Sequence, residues 1–434
     1  MSSIAEEFLK DGLEQAYKCV HCGFCLQTCP TYLATGNEAD SPRGRIYLVK
    51  ALLTGGVDAT ESVLKHLSQC VICRRCETAC PSGVEYSRVI YAAYAYLGDK
   101  LVNYDYPIHV RLGYRLITEP TIINAALSLG EKLPSVPNQL KGFIRSRGDV
   151  RISELLGREY LPPSHKSIRG TVVMFATDSC ITWQSYAYVV LEAIRVLTWN
   201  GYRVLLPRGF SCCGAPYMHM GDFKTAAKLA LNNLRRLSEY WGDADYFVIV
   251  NSGGCQAQWL EYPHLVKEGE LGKLALELRG KLVDVMQVLD MNGLDGVLGS
   301  VRMRLSIQHS CHLMNVAKAH EPVVRVLSKV PGVEVRGLDT ADICCGAGNM
   351  YPDRHPEIAE KVLRLKVEDI ESWKPDALIV ESPSCMSYLS WALPRVGVKV
   401  RLMYPISIID MAYRAGGNPG YIDVMSRSRV LSEH

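Results

Sequence analysis

The chain carries no strong charge of either sign: 48 Lys and Arg stand against 45 Asp and Glu in 434 residues, a formal net charge of +3. So weak a field argues against nucleic acid as the main partner. No apolar run approaches the roughly 18 residues that a membrane helix needs; the best, Val172-Val-Met-Phe-Ala176 and Phe247-Val-Ile-Val250, are strand-sized. The first residues are acidic and lack an apolar core, so no secretory signal is expected, and the reading is a cytoplasmic protein whose only membrane contact would be peripheral, on the inner face of the cell membrane. Also missing are a G-x-G-x-x-G after a strand, a P-loop and a nucleophile elbow, which leaves no obvious flavin, nicotinamide or nucleotide site.

What the chain does have is cysteine, sixteen residues of it. In a chain this long, without a signal and with its cysteines in CxxC and CC groups, metal ligation is the better reading than a disulfide framework. Cys19-Val-His-Cys22-Gly-Phe-Cys25-Leu-Gln-Thr-Cys29-Pro30 is a C-x2-C-x2-C-x3-C-P run, and Cys70-Val-Ile-Cys73-Arg-Arg-Cys76-Glu-Thr-Ala-Cys80-Pro81 repeats every spacing. Structural zinc usually takes two CxxC hairpins across a longer loop, whereas three cysteines at consecutive two-residue intervals wrap one face of a cubane. In two-cluster ferredoxins the fourth cysteine of each run ligates the other cluster. The expected sets are therefore Cys19, Cys22, Cys25 and Cys80 for one [4Fe-4S] cluster and Cys70, Cys73, Cys76 and Cys29 for the second.

Length and a 48% hydrophobic content suggest two to three domains. The fold class expected is multidomain, α followed by α/β. Residues 1–130 read as an α-helical two-cluster ferredoxin domain. Its helices are Ile4 to Tyr17, one capped by Ser41 with Pro42 at its first position, one with Asp58 and Glu61 as a capping box, and a tyrosine-rich stretch from Val84 to about Leu129. That stretch, with Tyr86, Tyr91, Tyr94, Tyr96, Tyr104, Tyr106 and Tyr114, reads as a half-buried packing face with its hydroxyls in water, ahead of the alternative of a partner or membrane-interface surface. Residues 131–170 read as a linker, marked by Pro134, Pro137, the basic stretch from Lys141 to Arg151, and Pro162-Pro163.

Residues 171–299 and 300–434 then read as two duplicated α/β units. In the first, strands at 171–176, 202–206 and 246–250 alternate with helices at 186–199 and 222–240; in the second, strands at 304–307, 333–335 and 377–380 alternate with helices at 316–329 and 356–372. Between Cys180 and Cys212 lie 31 residues, between Cys311 and Cys344 32; between Cys213 and Cys255 lie 41, between Cys345 and Cys385 39. All eight cysteines fall at expected strand ends, where α/β units collect their functional groups. Four thiols per repeat fit a further [4Fe-4S] cluster, a zinc site, a redox-active thiol pair or a structural role. His309, His312, His219 and His21 lie beside or inside cysteine motifs, and Arg43, Arg45, Arg74 and Arg75 are placed to raise a cluster's potential, to dock an acidic partner or to form a solvated helix face.

Cys19-Val-His-Cys-Gly-Phe-Cys, Ser41-Pro-Arg-Gly-Arg-Ile-Tyr, Cys76-Glu-Thr-Ala-Cys-Pro-Ser-Gly-Val and the CCG motifs Cys212-Cys-Gly-Ala and Cys344-Cys-Gly-Ala-Gly resemble the iron-sulfur subunit of bacterial-type glycolate oxidase over the full length. Related arrangements occur in the anaerobic glycerol-3-phosphate dehydrogenase small subunit, in lactate-oxidising complexes and in heterodisulfide reductase catalytic subunits. The resemblance implies an oxidoreductase complex: a flavin-containing subunit oxidises a 2-hydroxy acid such as glycolate or lactate, and this chain passes electrons to a quinone or another acceptor. The alternative is a heterodisulfide-reductase-like thiol/disulfide oxidoreductase with a catalytic CCG centre. Against it, Ser252 and Ser382 stand where that pattern has the first cysteine of a CxxC.

Overall fold

The computed structural model describes residues 4–116, 123, 138–145 and 148–431. Among the described residues up to 116, every regular element is helical. The Ile4–Tyr17 helix lies along Tyr86–Leu97, close enough at Gly12 that any side chain there would collide with Ala92. Ser41 caps Pro42–Leu53 as expected, its hydroxyl accepting from the Gly44 amide at 3.0 Å. The next helix, Glu61–Ser68, is capped by Thr60 and not by Asp58, because it is the Thr60 hydroxyl that meets the Val63 amide.

The tyrosine-rich stretch is three helices, Tyr86–Leu97, Asp99–Asp105 and Ile108–Leu116, broken at Gly98 (φ +49°) and before Ile108 at Pro107. Most of its tyrosines are buried with their hydroxyls bonded to protein: Tyr86 to the Cys70 thiol, Tyr94 to Asp105, Tyr106 to the His219 carbonyl and Tyr114 to Asn349. Only Tyr96 and Tyr104 of the stripe face solvent. The expected continuation toward Leu129, and Pro134 and Pro137, lie outside the described residues.

Two sheets follow. β2 (Gly170–Met174), β3 (Tyr202–Leu206), β4 (Tyr246–Ile249) and β5 (Leu282–Asp284) are parallel in the order β3-β2-β4-β5. β6 (Met303–Gln308), β7 (Val333–Gly337), β8 (Ala377–Val380) and β9 (Arg401–Met403) repeat it as β7-β6-β8-β9, again parallel. The duplication read from cysteine intervals is thus also a duplication of strand order.

The segment read as a linker contributes structure. The Asn138–Arg145 helix packs on Pro383–Ala392 of the second unit, and β1 (Arg158–Tyr160) joins the first sheet antiparallel to β3. On the other side of β1 lies β10 (Ser428–Val430), so the first sheet has six strands and takes its edge from the end of the second unit. Arg158 and Glu159 mask the strand in the sequence; Glu159 is bracketed by Arg203 on β3 and Arg429 on β10. In the second unit the expected helix from Val316 is displaced. A short helix occupies Cys311–Asn315, Lys318 turns left-handed (φ +54°), and the next helix is Glu321–Leu327 with Pro322 in its first turn.

Candidate metal centres

The two cysteine runs share a backbone device. His21 and Gly23 in the first, and Ile72 and Arg74 in the second, all have φ between +54° and +87°. A β-branched residue such as Ile72 rarely adopts that conformation, and backbone of this kind is held only where the surroundings require it. The alternation curls each loop so that Cys19, Cys22 and Cys25, and likewise Cys70, Cys73 and Cys76, turn toward a common cavity. The first cavity is lined by Cys19, Cys22, Cys25 and Cys80 together with Cys76; the second by Cys29, Cys70, Cys73 and Cys76. The last cysteine of each run therefore stands with the first three of the other.

Arg45 lines the second cavity, fully buried, donating to the His66 carbonyl at 2.7 Å and to Thr31 at 3.0 Å. Burial works against its charge, yet Tyr86, Cys70, Cys29 and Asp40 around it raise its pKa overall. Arg43 is more open, pairing with Glu38 and donating to the His21 carbonyl. Arg74 and Arg75 are not a solvated face: Arg74 bonds Glu77 and, in the first unit, Glu261, while Arg75 bonds Asp342 in the second. They dock the helical module onto both sheets.

All eight remaining cysteines line one further cavity, of about 150 Å³, between the two units. Cys180 follows β2, Cys212 and Cys213 follow β3, and Cys255 lies in the Gly253–Leu260 helix after β4. Cys311, Cys344, Cys345 and Cys385 occupy the matching places after β6, β7 and β8. Within each unit the four thiols touch in a chain. In the first unit, sharing with Cys212 raises the pKa of Cys180, and that of Cys212 falls accordingly. In the second, Cys345 Sγ lies 2.7 Å from Cys385 Sγ. Burial is the common pressure on these thiols, as on Cys73 and Cys76.

The units meet through a glycine. A Cβ on Gly253 would lie 2.6 Å from Ser310 Oγ and 2.7 Å from the Leu313 amide nitrogen, so only a bare Cα lets the first thiol set approach the second. Ser252 and Ser382 line the cavity too. The helical module closes on the same space: Val71 lines both this cavity and the one holding Cys70 and Cys73. His312 Nε2 donates to the Ile72 carbonyl at 2.9 Å and Asn315 to the Cys73 carbonyl at 3.1 Å.

His219 and His312 face the cavity with rings 5.7 Å apart, both held neutral chiefly by burial, His219 down to about 3. His309 instead pairs with Glu381, and His21 lies on the exposed rim of the first cavity. Gln139, Leu140 and Phe143, on the helix inside the expected linker, complete the lining with Tyr114, Asn349 and Met350. The apolar spacing of Leu140, Phe143 and Ile144 is the sequence signal that could have found that helix.

The donor sets fit iron-sulfur clusters. Each of the four sets supplies four thiols, the number a [4Fe-4S] cluster takes, and they stand around cavities. No described helix is long and apolar enough to cross a membrane.

The sequence matches the 4Fe-4S dicluster domain over residues 15–84 and the cysteine-rich CCG domain twice, over 173–259 and 305–390. It is 28% identical to a probable glycolate oxidase iron-sulfur subunit of Bacillus subtilis, over 96% of this chain and 98% of that one. It is 28% identical to the Escherichia coli glycolate oxidase iron-sulfur subunit, over 86% and 89%. Lactate utilization protein A of Geobacillus thermodenitrificans is 30% identical over 55% of this chain and 98% of its own length. The chain itself carries one 4Fe-4S dicluster domain and two CCG domains, and it belongs to the family of the glycolate oxidase iron-sulfur subunit and lactate utilization protein A.

Proposed function

We propose that this chain is the electron-transfer subunit of an oxidoreductase complex in which a flavin-containing partner oxidises a 2-hydroxy acid of the glycolate or lactate type. In this reading Cys19, Cys22, Cys25 and Cys80 hold one [4Fe-4S] cluster and Cys70, Cys73, Cys76 and Cys29 the second. The quartets Cys180-Cys212-Cys213-Cys255 and Cys311-Cys344-Cys345-Cys385 hold a further cluster each. When bound, such clusters carry one electron at a time.

The observation that carries the proposal is the continuity of the thiol-lined spaces. Cys22 is exposed at one end, Cys76 borders both N-terminal cavities, and Val71 borders the second of these and the CCG cavity. Arg45 and the Ile72 and Cys73 carbonyls, each bonded to a fixed partner, keep this path rigid. Substrate oxidation belongs to the partner subunit, and the electrons leave to a quinone or another acceptor, a quinone drawing the complex to the inner surface of the membrane without a spanning helix. Ser252 and Ser382 leave each CCG set at four thiols and speak against disulfide reduction.

The test is anaerobic purification with native partners, followed by iron, sulfide, zinc and flavin analysis and EPR. About sixteen irons per chain and a co-purifying flavoprotein support the reading. Zinc in place of iron at the CCG quartets, or the lack of any flavoprotein, overturns it.

A further inference from the structure

The two CCG units match closely around their thiols, and one buried position breaks the match. Gly214 and Gly346 follow the vicinal cysteines with φ +91° and +84°, and each approaches the next helix, Gly214 at Ala226 and Leu229, Gly346 at Ala359 and Val362. Carried seven residues along the two helices from Ala226 and Ala359, this register sets Asn233 opposite Lys366. Their exposures are 0% and 1%.

Asn233 is neutral and fully engaged. Its Oδ1 accepts from the Ser211 amide at 2.7 Å, and its Nδ2 donates to the Cys212 carbonyl at 3.1 Å and to the Tyr262 hydroxyl at 2.9 Å. Tyr262 donates in turn to the Cys213 carbonyl. Lys366 brings an ammonium to the same depth and donates to the Thr340 carbonyl at 2.7 Å. Burial pulls its pKa down to about 8, and the charges that resist are first those of Cys345, Cys344 and Cys385, ahead of Asp342. Asp342 is itself paired with Arg75. At the same buried helix position, then, the second unit has a cation bonded to the carbonyl of Thr340, four residues before Cys344, and the first has an amide bonded to the carbonyl of Cys212.

We propose that Lys366 makes the second quartet the electron-accepting end of the paired CCG site. Its charge favours the more negative state of a centre held by Cys311, Cys344, Cys345 and Cys385, while the first quartet, with Asn233 in the same place, has no such bias. Net charge and hydrogen bonding around the sulfurs set the potential of such centres, and a buried charge is weakly screened. Each arriving electron adds one negative charge, which the Lys366 ammonium offsets through its field. The inference rests on the reading that the CCG quartets hold iron-sulfur centres.

The experiment is an EPR-monitored redox titration of the anaerobically purified holoprotein, with iron measured in every sample. Cys345→Ser identifies the second quartet's signal by abolishing it. Lys366→Met should lower the midpoint potential of that signal and leave the dicluster signals in place; Lys366→Arg should restore it. Asn233→Lys should raise the midpoint of the first quartet's signal. An unshifted midpoint in Lys366→Met with full iron content overturns the proposal. If that variant loses iron, Asn233→Lys decides, and no upward shift overturns it. A wild-type protein with only about eight irons per chain removes the cluster reading of the quartets and this inference with it.

Discussion

Between Cys19 and Cys80 thiols are gathered by short loops, bent by left-handed residues and held by helices within one stretch of chain. In the CCG cavity each quartet is drawn from three strand ends, and the two quartets face each other only because two sheets and the helical module close on them. Local geometry governs the first pair of sites and long-range packing the second. Damage to packing should therefore strip the CCG centres while sparing the dicluster ones.

The largest effects break this comparison at its thiols. Cys76→Ser should remove about four irons per chain and disturb the remaining dicluster signal, since Cys76 borders both N-terminal cavities. Cys345→Ser should remove a similar number and leave the dicluster EPR signals intact. Next comes the clamp between module and sheets, where buried Asp105 meets Arg354 and His355. Asp105→Ala leaves a buried guanidinium unpaired, at a cost of about 3–5 kcal/mol, read as a lower unfolding midpoint with CCG iron lost first.

Gly253→Ala sharpens the contrast. Its methyl would press on Ser310 and Leu313 and destabilise by about 1–3 kcal/mol; iron should fall in the CCG cavity while the dicluster spectrum is unchanged. The smallest effect is a pH dependence. Burial raises the Glu192 carboxyl from 4.5 to about 7; Ser407, Arg195 and Arg414 partly oppose this and Asp410 adds to it. At Glu192 the folded chain then binds more protons than the unfolded one between those values, so the contribution of this group to stability is fully present below about 4.5 and is lost as pH rises toward 7. The slope is at most about 1.4 kcal/mol per pH unit. Glu192→Gln, which can keep the Ser407 hydrogen bond, should flatten the slope in urea-midpoint measurements between pH 5 and 8.

The same division between local and long-range explains what could be read from the sequence. Cysteine spacing, the Ser41-Pro42 helix start and the strand-helix alternation are local patterns, and they appear in the structure close to where periodicity puts them. The shared CCG cavity is not local. Nothing in Ser252-Gly-Gly-Cys255 shows that Gly253 must meet Leu313, so the sequence suggested one centre per repeat without showing that the two face each other. Misplaced boundaries have single-residue causes: Thr60 outcompetes Asp58 as a cap, and Lys318 and Pro322 delay the helix expected from Val316. The tyrosine stripe is buried because carboxylate, amide, carbonyl and thiol partners wait inside for its hydroxyls, which a hydropathy pattern does not record.

The pairing of β1 with β10 has a consequence for synthesis. Glu159 and Arg429, which bond across that edge, are 270 residues apart in the chain. At about 5–20 residues per second, the outer edge of β1 waits roughly 15–50 s on the ribosome for its cover. An open strand edge is a template for pairing with other nascent chains. Arg158 and Glu159 keep that edge charged during the wait, and Arg203 on the neighbouring β3 is there to hold Glu159 until Arg429 arrives.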